Sequence, residues 1–246
     1  MLVGDFKDAD VRIRRPALDL HFAMCDHRTA MGIVKEQLNY LAVSPDFAIK
    51  EEMVLKIAIL AERYATDWRW YVDTVLQIIT LAGDFVSRDI AHRVVQIVTN
   101  HEDLQKYAAE TMYRALLPSN VHEMTVAIGG YILGEFGFLI TGDQEDAAGN
   151  QDDSDSDSDG GGGGLTGADL FHHVHKHFKG SSSATKAQLL SAYVKMLNLY
   201  DGLEDIVGPV FAANRACMDA ELQQRACETG CSHRHHVDPL HRAESH

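Results

Sequence analysis

Cysteine is scarce. Cys25, Cys217, Cys227 and Cys231 are the only four in 246 residues and have no framework spacing, which excludes a disulfide scaffold and fits reduced thiols in a cytosolic chain. No run reaches the roughly 18 apolar residues of a membrane span. The first ten residues carry Asp5, Asp8 and Asp10 where a signal peptide would have a basic end and an apolar stretch, so neither an anchor nor a leader is expected. Base is also short, with 22 Lys and Arg against 36 Asp and Glu and a formal net charge of -14. A basic stripe for nucleic acid or an anionic lipid surface is missing, and direct nucleic-acid binding is not expected. Eight of the acids, Asp143, Glu145, Asp146, Asp152, Asp153, Asp155, Asp157 and Asp159, fall in one stretch without a Lys or Arg. More than half of the net charge is therefore local. No Gly-rich loop follows a strand, and neither a Gly-x-Ser-x-Gly elbow nor a Cys-x-x-Cys pair occurs, so no motif positions a nucleophile.

Strand-like alternation is absent as well. Between Phe47 and Ile140 five apolar segments of helical period follow one another. They are separated by short turn signals at Ser44-Pro45-Asp46, Ala65-Thr66-Asp67, Gly83-Asp84, Asn100-His101 and Pro118-Ser119-Asn120. Short helices folding back at such turns make antiparallel hairpins, and stacked hairpins make a solenoid. Asp46, Asp84 and Asn120 recur at a spacing of 38 and then 36 residues, each before the second helix of a pair. Tetratricopeptide units, at about 34 residues, lack support because their Trp-x2-Leu-Gly-x2-Tyr pattern is missing. HEAT or armadillo units, about 40 to 47 residues with weak internal similarity, fit better. The expected fold is an all-α, HEAT/armadillo-like right-handed α-solenoid of antiparallel helix pairs.

The segment from Val11 reads as the second helix of an incomplete repeat, starting near Arg14 so that Pro16 falls in its first turn, and running to about Cys25. Ala30 to Leu41 opens the next pair. Phe47 to Ala65 places Ile49, Met53, Ile57, Leu60 and Tyr64 on one stripe and leaves Lys50, Lys56, Glu62 and Arg63 for water. Trp70 to Ala82 is mostly apolar, with a narrow polar line of Asp73, Gln77 and Thr80 ending at Asp84. In the last of the five segments Gly129, Gly130, Gly134 and Gly137 are costly for a helix, and their use is close approach of a neighbouring helix. Domain organisation follows: residues 1-142 as solenoid, 143-167 as a disordered acidic Gly/Ser-rich insert, 168-226 as its continuation in helices 168-178, 185-200 and 203-213, and 227-246 as a divergent His-rich tail. A helix opening at Asp219 is expected to stop after two turns at Cys227.

Four constellations invite a metal. Asp155-Ser-Asp157-Ser-Asp159-Gly160 matches the first half of a calcium loop, but Thr166 stands where the bidentate Glu belongs. Solvated acid is the plainer reading; for Ser154, Ser156 and Ser158 within it, kinase substrates are the rival reading, behind a polar tract with no function. His172, His173, His175 and His177 are close in sequence but lack an adjacent carboxylate or thiol, which favours a surface helix rich in His. Cys227, Cys231, His233, His235 and His236 offer zinc ligands at a spacing no common finger uses. His122-Glu123 starts a zincin-like motif that Val126 breaks. No catalytic, cofactor or metal residue is assigned.

Read in order, several stretches of this chain resemble the alpha-adaptin family, the large alpha subunits of plasma-membrane clathrin adaptor complexes. They are Ala17-Leu18-Asp19-Leu20, Ala58-Ile59-Leu60-Ala61-Glu62, Trp70-Tyr71-Val72-Asp73-Thr74, Gly129-Gly130-Tyr131-Ile132-Leu133-Gly134-Glu135-Phe136-Gly137 and Glu221-Leu222-Gln223-Gln224-Arg225-Ala226. The likeness covers most of residues 11 to 226. It implies a non-catalytic trunk that cradles a small subunit in a heterotetramer with medium and beta-type large chains. The resemblance further implies residence on the cytoplasmic face of the plasma membrane at clathrin-coated pits, with no cofactor and only indirect membrane contact. On that resemblance, the amino-terminal helices that carry the family's phosphoinositide contacts and part of its sorting-signal site are expected to have no counterpart here, nor its hinge and appendage. Two other readings stay open: a large subunit of a Golgi or endosomal adaptor, and a metal-binding regulatory module built on the His and Cys clusters.

Overall fold

The structure, a computed structural model, describes residues 11–44, 46–142 and 164–232. Regular structure among them is helical throughout: α1 (Val11–Ala23), α2 (Ala30–Val43), α3 (Phe47–Tyr64), α4 (Trp68–Ala82), α5 (Arg88–Asn100), α6 (Glu102–Ala115), α7 (Glu123–Phe136), α8 (Gly167–His175), α9 (Ser183–Leu199), α10 (Glu204–Asn214) and α11 (Ala220–Ser232), with 3-10 turns at Gly83–Phe85 and Gly137–Leu139. No helix of the described residues is long and apolar enough to cross a membrane. The chain divides into two compact units, one holding the residues up to Ala108 with Asn120–Thr125, the other Ala109–Ser119 with the residues from Val126 on.

In the first unit the helix starts follow from side chains that accept orphan N–H groups: Asp46 from Ala48, Asp67 from Arg69 and Ser87 from Ile90. Consecutive helices α2, α3 and α4 pack as hairpins, while α1 meets α3 and α2 meets α4, so alternate helices share a layer. This two-layer stacking is the HEAT/armadillo-like helical-repeat arrangement. Ile49, Met53, Ile57 and Leu60 of α3 are fully or almost fully buried, as are Val34 and Leu41 of α2 and Tyr71, Val75 and Ile78 of α4, the helices that α3 packs against. Burying side chains of this size contributes about 1.5–3 kcal/mol each.

Three expectations for this unit are corrected. The first helix begins at Val11, not near Arg14, and holds Pro16 inside it, where the ring removes only one backbone bond near an end already short of partners. Tyr64 is only half buried, because its hydroxyl reaches past the core to donate to the Cys25 carbonyl at 2.9 Å. Lys56 is not a solvated residue: its side chain is 14% exposed and bridges Asp19 of α1 and Glu52 of α3, the latter at 2.7 Å.

In the second unit α7 lies against α9 through the glycines. A Cβ added at Gly134 would stand 2.8 Å from the Ala192 Cβ and 3.1 Å from its Cα, so only glycine permits this approach. Gly129, Gly130 and Gly137 likewise abut Leu116, Leu189 and Leu170. The core gathers Leu170, Phe171, Leu189, Tyr193 and Met196, all fully or almost fully buried. Helices α9, α10 and α11 pack on one another.

Boundaries differ here too. Structure resumes before residue 168, because Thr166 caps α8: its hydroxyl accepts the Asp169 N–H at 3.1 Å while the Asp169 carboxylate accepts the Thr166 N–H at 3.2 Å. The helix ends at His175, and α9 starts at Ser183 under a Ser182 cap. At the far end α11 continues past Cys227 to Ser232; Leu222 and Ala226 anchor it, and the backbone goes on without needing a further apolar face. Residues 143–163 and 233–246, and with them most of the expected insert and tail, lie outside the described residues.

Candidate interaction surface

His173 and His175 of α8, and His177 just beyond its end, pack inward, contrary to the surface helix expected for them. The Tyr113 carbonyl can only accept, so His173 Nε2 donates to it at 2.8 Å, and the imidazole stacks on the Tyr113 ring with centroids 4.1 Å apart. By the same logic His177, itself buried, donates from Nε2 to the Leu116 carbonyl at 3.0 Å, and Lys176 Nζ to Leu117 at 2.9 Å. These three carbonyls lie at and just beyond the end of α6, where helix geometry leaves acceptors without intrahelical donors. Donors from α8 and the turn that follows it close that end. His175 is stacked between Phe171 and Phe178, at 5.1 and 5.2 Å, with Nδ1 3.2 Å from the Tyr193 hydroxyl. Burial pushes both His173 and His175 below the ordinary histidine range.

Of the four, only His172 is exposed. Among the described residues no three His, Cys, Asp or Glu side chains are grouped closely enough to hold a metal ion. The acidic loop residues Asp155 to Gly160, with Ser154, Ser156 and Ser158, lie outside the described residues, as do His233, His235 and His236 and the side chain of Cys231. Cys227 is exposed and Cys25 is buried, where desolvation raises its thiol pKa.

His122 has a structural task that its zincin-like spacing concealed. Its Nδ1 accepts the Met124 N–H at 3.1 Å and so caps α7, which leaves Nε2 to donate to Asp84 at 3.2 Å. The ring lies against Gly83, where a Cβ would come within 2.4 Å of it.

With no nucleophile, base and orienting group converging among these side chains, what the described residues offer is surface. Ion pairs tie α3 to its neighbours, Arg15 to Glu52 at 3.6 Å and Arg93 to Glu62 at 2.7 Å, and a third joins Lys195 of α9 to Glu135 of α7. The turn between α2 and α3 exposes Val43 and Phe47, at 75% and 73%. Between α2 and α4 runs a groove of about 480 Å³, walled by Met31, Val34 and Leu38 on one side and Trp70, Asp73 and Gln77 on the other. The Tyr107 hydroxyl stands 2.9 Å from both oxygens of Asp73 and donates its one proton to that carboxylate. The polar line on this helix was legible in the sequence; that it lines a groove with α2 was not, because the pairing partner is more than thirty residues away.

Comparison with known proteins bears directly on such a surface. The chain is 48% identical over 222 residues to the AP-2 complex subunit alpha-2 of Dictyostelium discoideum, an alignment covering 90% of this chain and 20% of that protein. It is 42% identical over 231 residues to the AP-2 complex subunit alpha-1 of Arabidopsis thaliana, covering 92% and 21%. Identity falls to 27% over 228 residues with the AP-1 complex subunit gamma of Dictyostelium discoideum, covering 92% and 25%. The chain thus spans about a fifth to a quarter of the length of these relatives. The adaptin N-terminal region family matches residues 5–231. Nearly the whole chain is accounted for by that match, and it belongs to the adaptin family, with greater similarity to the AP-2 alpha subunits than to the AP-1 gamma subunit.

Proposed function

We propose that this chain acts as a non-catalytic scaffold segment of a clathrin adaptor complex in endocytosis and vesicle-mediated protein transport. The observation that carries the reading is the 48% identity with an AP-2 alpha subunit over 90% of the chain. Stacked helix pairs support it physically, since each repeat leaves faces that another polypeptide can cover. The partners are the small, medium and beta-type large chains of a heterotetramer. Its site of action is the cytoplasmic face of the plasma membrane at clathrin-coated pits, with membrane contact made through those partners. Neither a cofactor nor nucleic acid enters this reading.

The Golgi or endosomal alternative is weaker because the gamma-type relative is more distant. A metal-dependent module on α8 is disfavoured by hydrogen bonds that commit a ring nitrogen of His173, His175 and His177 to protein partners. Co-expression with AP-2-type and, separately, AP-1-type small and medium chains tests the assignment. Co-elution with the AP-2-type set is expected; preferential recovery of the AP-1-type set would overturn it.

A further inference from the structure

Free cysteine is among the residue types most often buried, where it packs as a small hydrophobe. Cys25 follows that habit, but Cys227 of α11 is exposed, so packing does not account for it. Its neighbours show which face of the helix it shares. Leu222 and Ala226 form the buried row of α11, while Ala220, Gln223, Gln224 and Cys227 form an exposed one. With about 3.6 residues per turn, Cys231 is the next position of that exposed row, one turn after Cys227 and still within the helix, which runs to Ser232. A stop at Cys227, as expected from the sequence, would have parted the two. The continuation of α11 places both on one face.

Helix positions one turn apart have Cβ atoms about 5–6 Å from each other. A disulfide takes Cβ atoms about 3.5–4.5 Å apart, so the intact helix keeps this pair as two thiols. A metal ion removes the mismatch, because it adds two metal–sulfur bonds of about 2.3 Å between them. Thiolates select soft or borderline cations, and imidazole suits zinc among these. His233, His235 and His236 follow Cys231 by two, four and five residues. At about 3.3–3.6 Å of chain per residue, each is within covalent reach of a metal held by the pair.

We propose that Cys227 and Cys231 bind a zinc ion as a pair of thiolates, with two of the three histidines His233, His235 and His236 completing a tetrahedral site. Each thiol loses its proton on binding, so two protons pass to solvent as two sulfur–zinc bonds form. Because both thiolates belong to one helix, the metal staples the last turn of α11 to the residues that follow it. The site stands apart from the adaptor reading, which neither requires nor excludes it.

In the test the full chain, made without an added histidine tag, is reduced, freed of metal by a chelator, and titrated with Co²⁺ as a spectroscopic stand-in and then with Zn²⁺. One equivalent of Co²⁺ should produce the visible bands of a tetrahedral site and a thiolate-to-cobalt charge-transfer band, and Zn²⁺ should erase both. Cys227→Ser and Cys231→Ser should each weaken binding at least tenfold, as should the joint change His233→Ala, His235→Ala and His236→Ala, whereas Cys217→Ser should match wild type. A second measurement needs no variant: bound Zn²⁺ should slow alkylation of Cys227 and Cys231 at least tenfold and leave that of Cys217 unchanged, read by peptide mass spectrometry. Binding without the charge-transfer band, or undiminished in the serine variants or in the triple alanine variant, overturns the proposal. Half an equivalent of metal per chain identifies ligands from two copies and overturns the single-chain site. Full alkylation of both thiols at saturating Zn²⁺ overturns it outright.

Discussion

At the residue scale, Gln37 of α2 is fully buried, and neither atom of its amide has a hydrogen-bond partner among the described residues. Burying such a group unpaired costs about 1–3 kcal/mol, so replacing it with an apolar side chain of similar length removes a penalty rather than a contact. Gln37→Met should raise unfolding stability by about 1 kcal/mol. Urea denaturation checks this, and a drop in midpoint would contradict it. The α8 histidines give a second prediction. Burial depresses the pKa of His173 and His175, so the unfolded chain, with histidines near 6.5, binds more protons as acid is added. Their contribution is complete above about pH 6.5 and is lost as pH falls from there through their folded values. Urea midpoints should be lower at pH 5.5 than at 7.5, and His173→Gln, which keeps a donor to the Tyr113 carbonyl, should narrow the gap; identical midpoints would contradict the neutral assignment. The sequence shows four histidines close together but not what faces them. The acceptors of His173 and His177 lie 60 and 61 residues away, a separation no local spacing rule reaches.

At the scale of elements, capping decides much. Asp46 and Asp67 mark helix starts in both sequence and structure, because a short polar side chain before an apolar run has one favourable use there. Thr166 and Asp169 carried the same signal in their three-residue spacing, and the adjoining glycines hid it. Thr166→Ala should cost about 1 kcal/mol, measurable by chemical denaturation, and no change would show the capping box to be idle. The ends flanking residues 143–163 meet: the Gly142 N–H donates to the Leu165 carbonyl at 3.2 Å, and a Cβ at Gly142 would lie 3.6 Å from the Gly164 Cα. The two backbones therefore lie side by side, and a short link can join Gly142 to Gly164. Deleting 143–163 should leave the thermal midpoint within about 3 °C, since closing so long a loop changes stability only logarithmically with its length. A fall of ten degrees would mean that the segment packs on the helices.

At the scale of the whole molecule, the turn spacing carried the fold class: uninterrupted helical period with turns recurring at 38 and 36 residues matches stacked helix-pair repeats, whose apolar faces are buried by their neighbours. The glycines of α7 were read correctly as sites of close approach, because a residue unfavourable in a helix invites one explanation, and Gly134 against Ala192 supplies it. What the pattern left unread was which faces remain open, since exposure of the α2–α4 groove depends on how two distant segments align. The central claim is that these open faces belong to an adaptor assembly. Native mass spectrometry of the chain co-expressed with an AP-2-type small subunit tests it most directly: the account predicts a stoichiometric complex of the two polypeptides, and the free chain alone, soluble and monomeric beside an equally free small subunit, would contradict it.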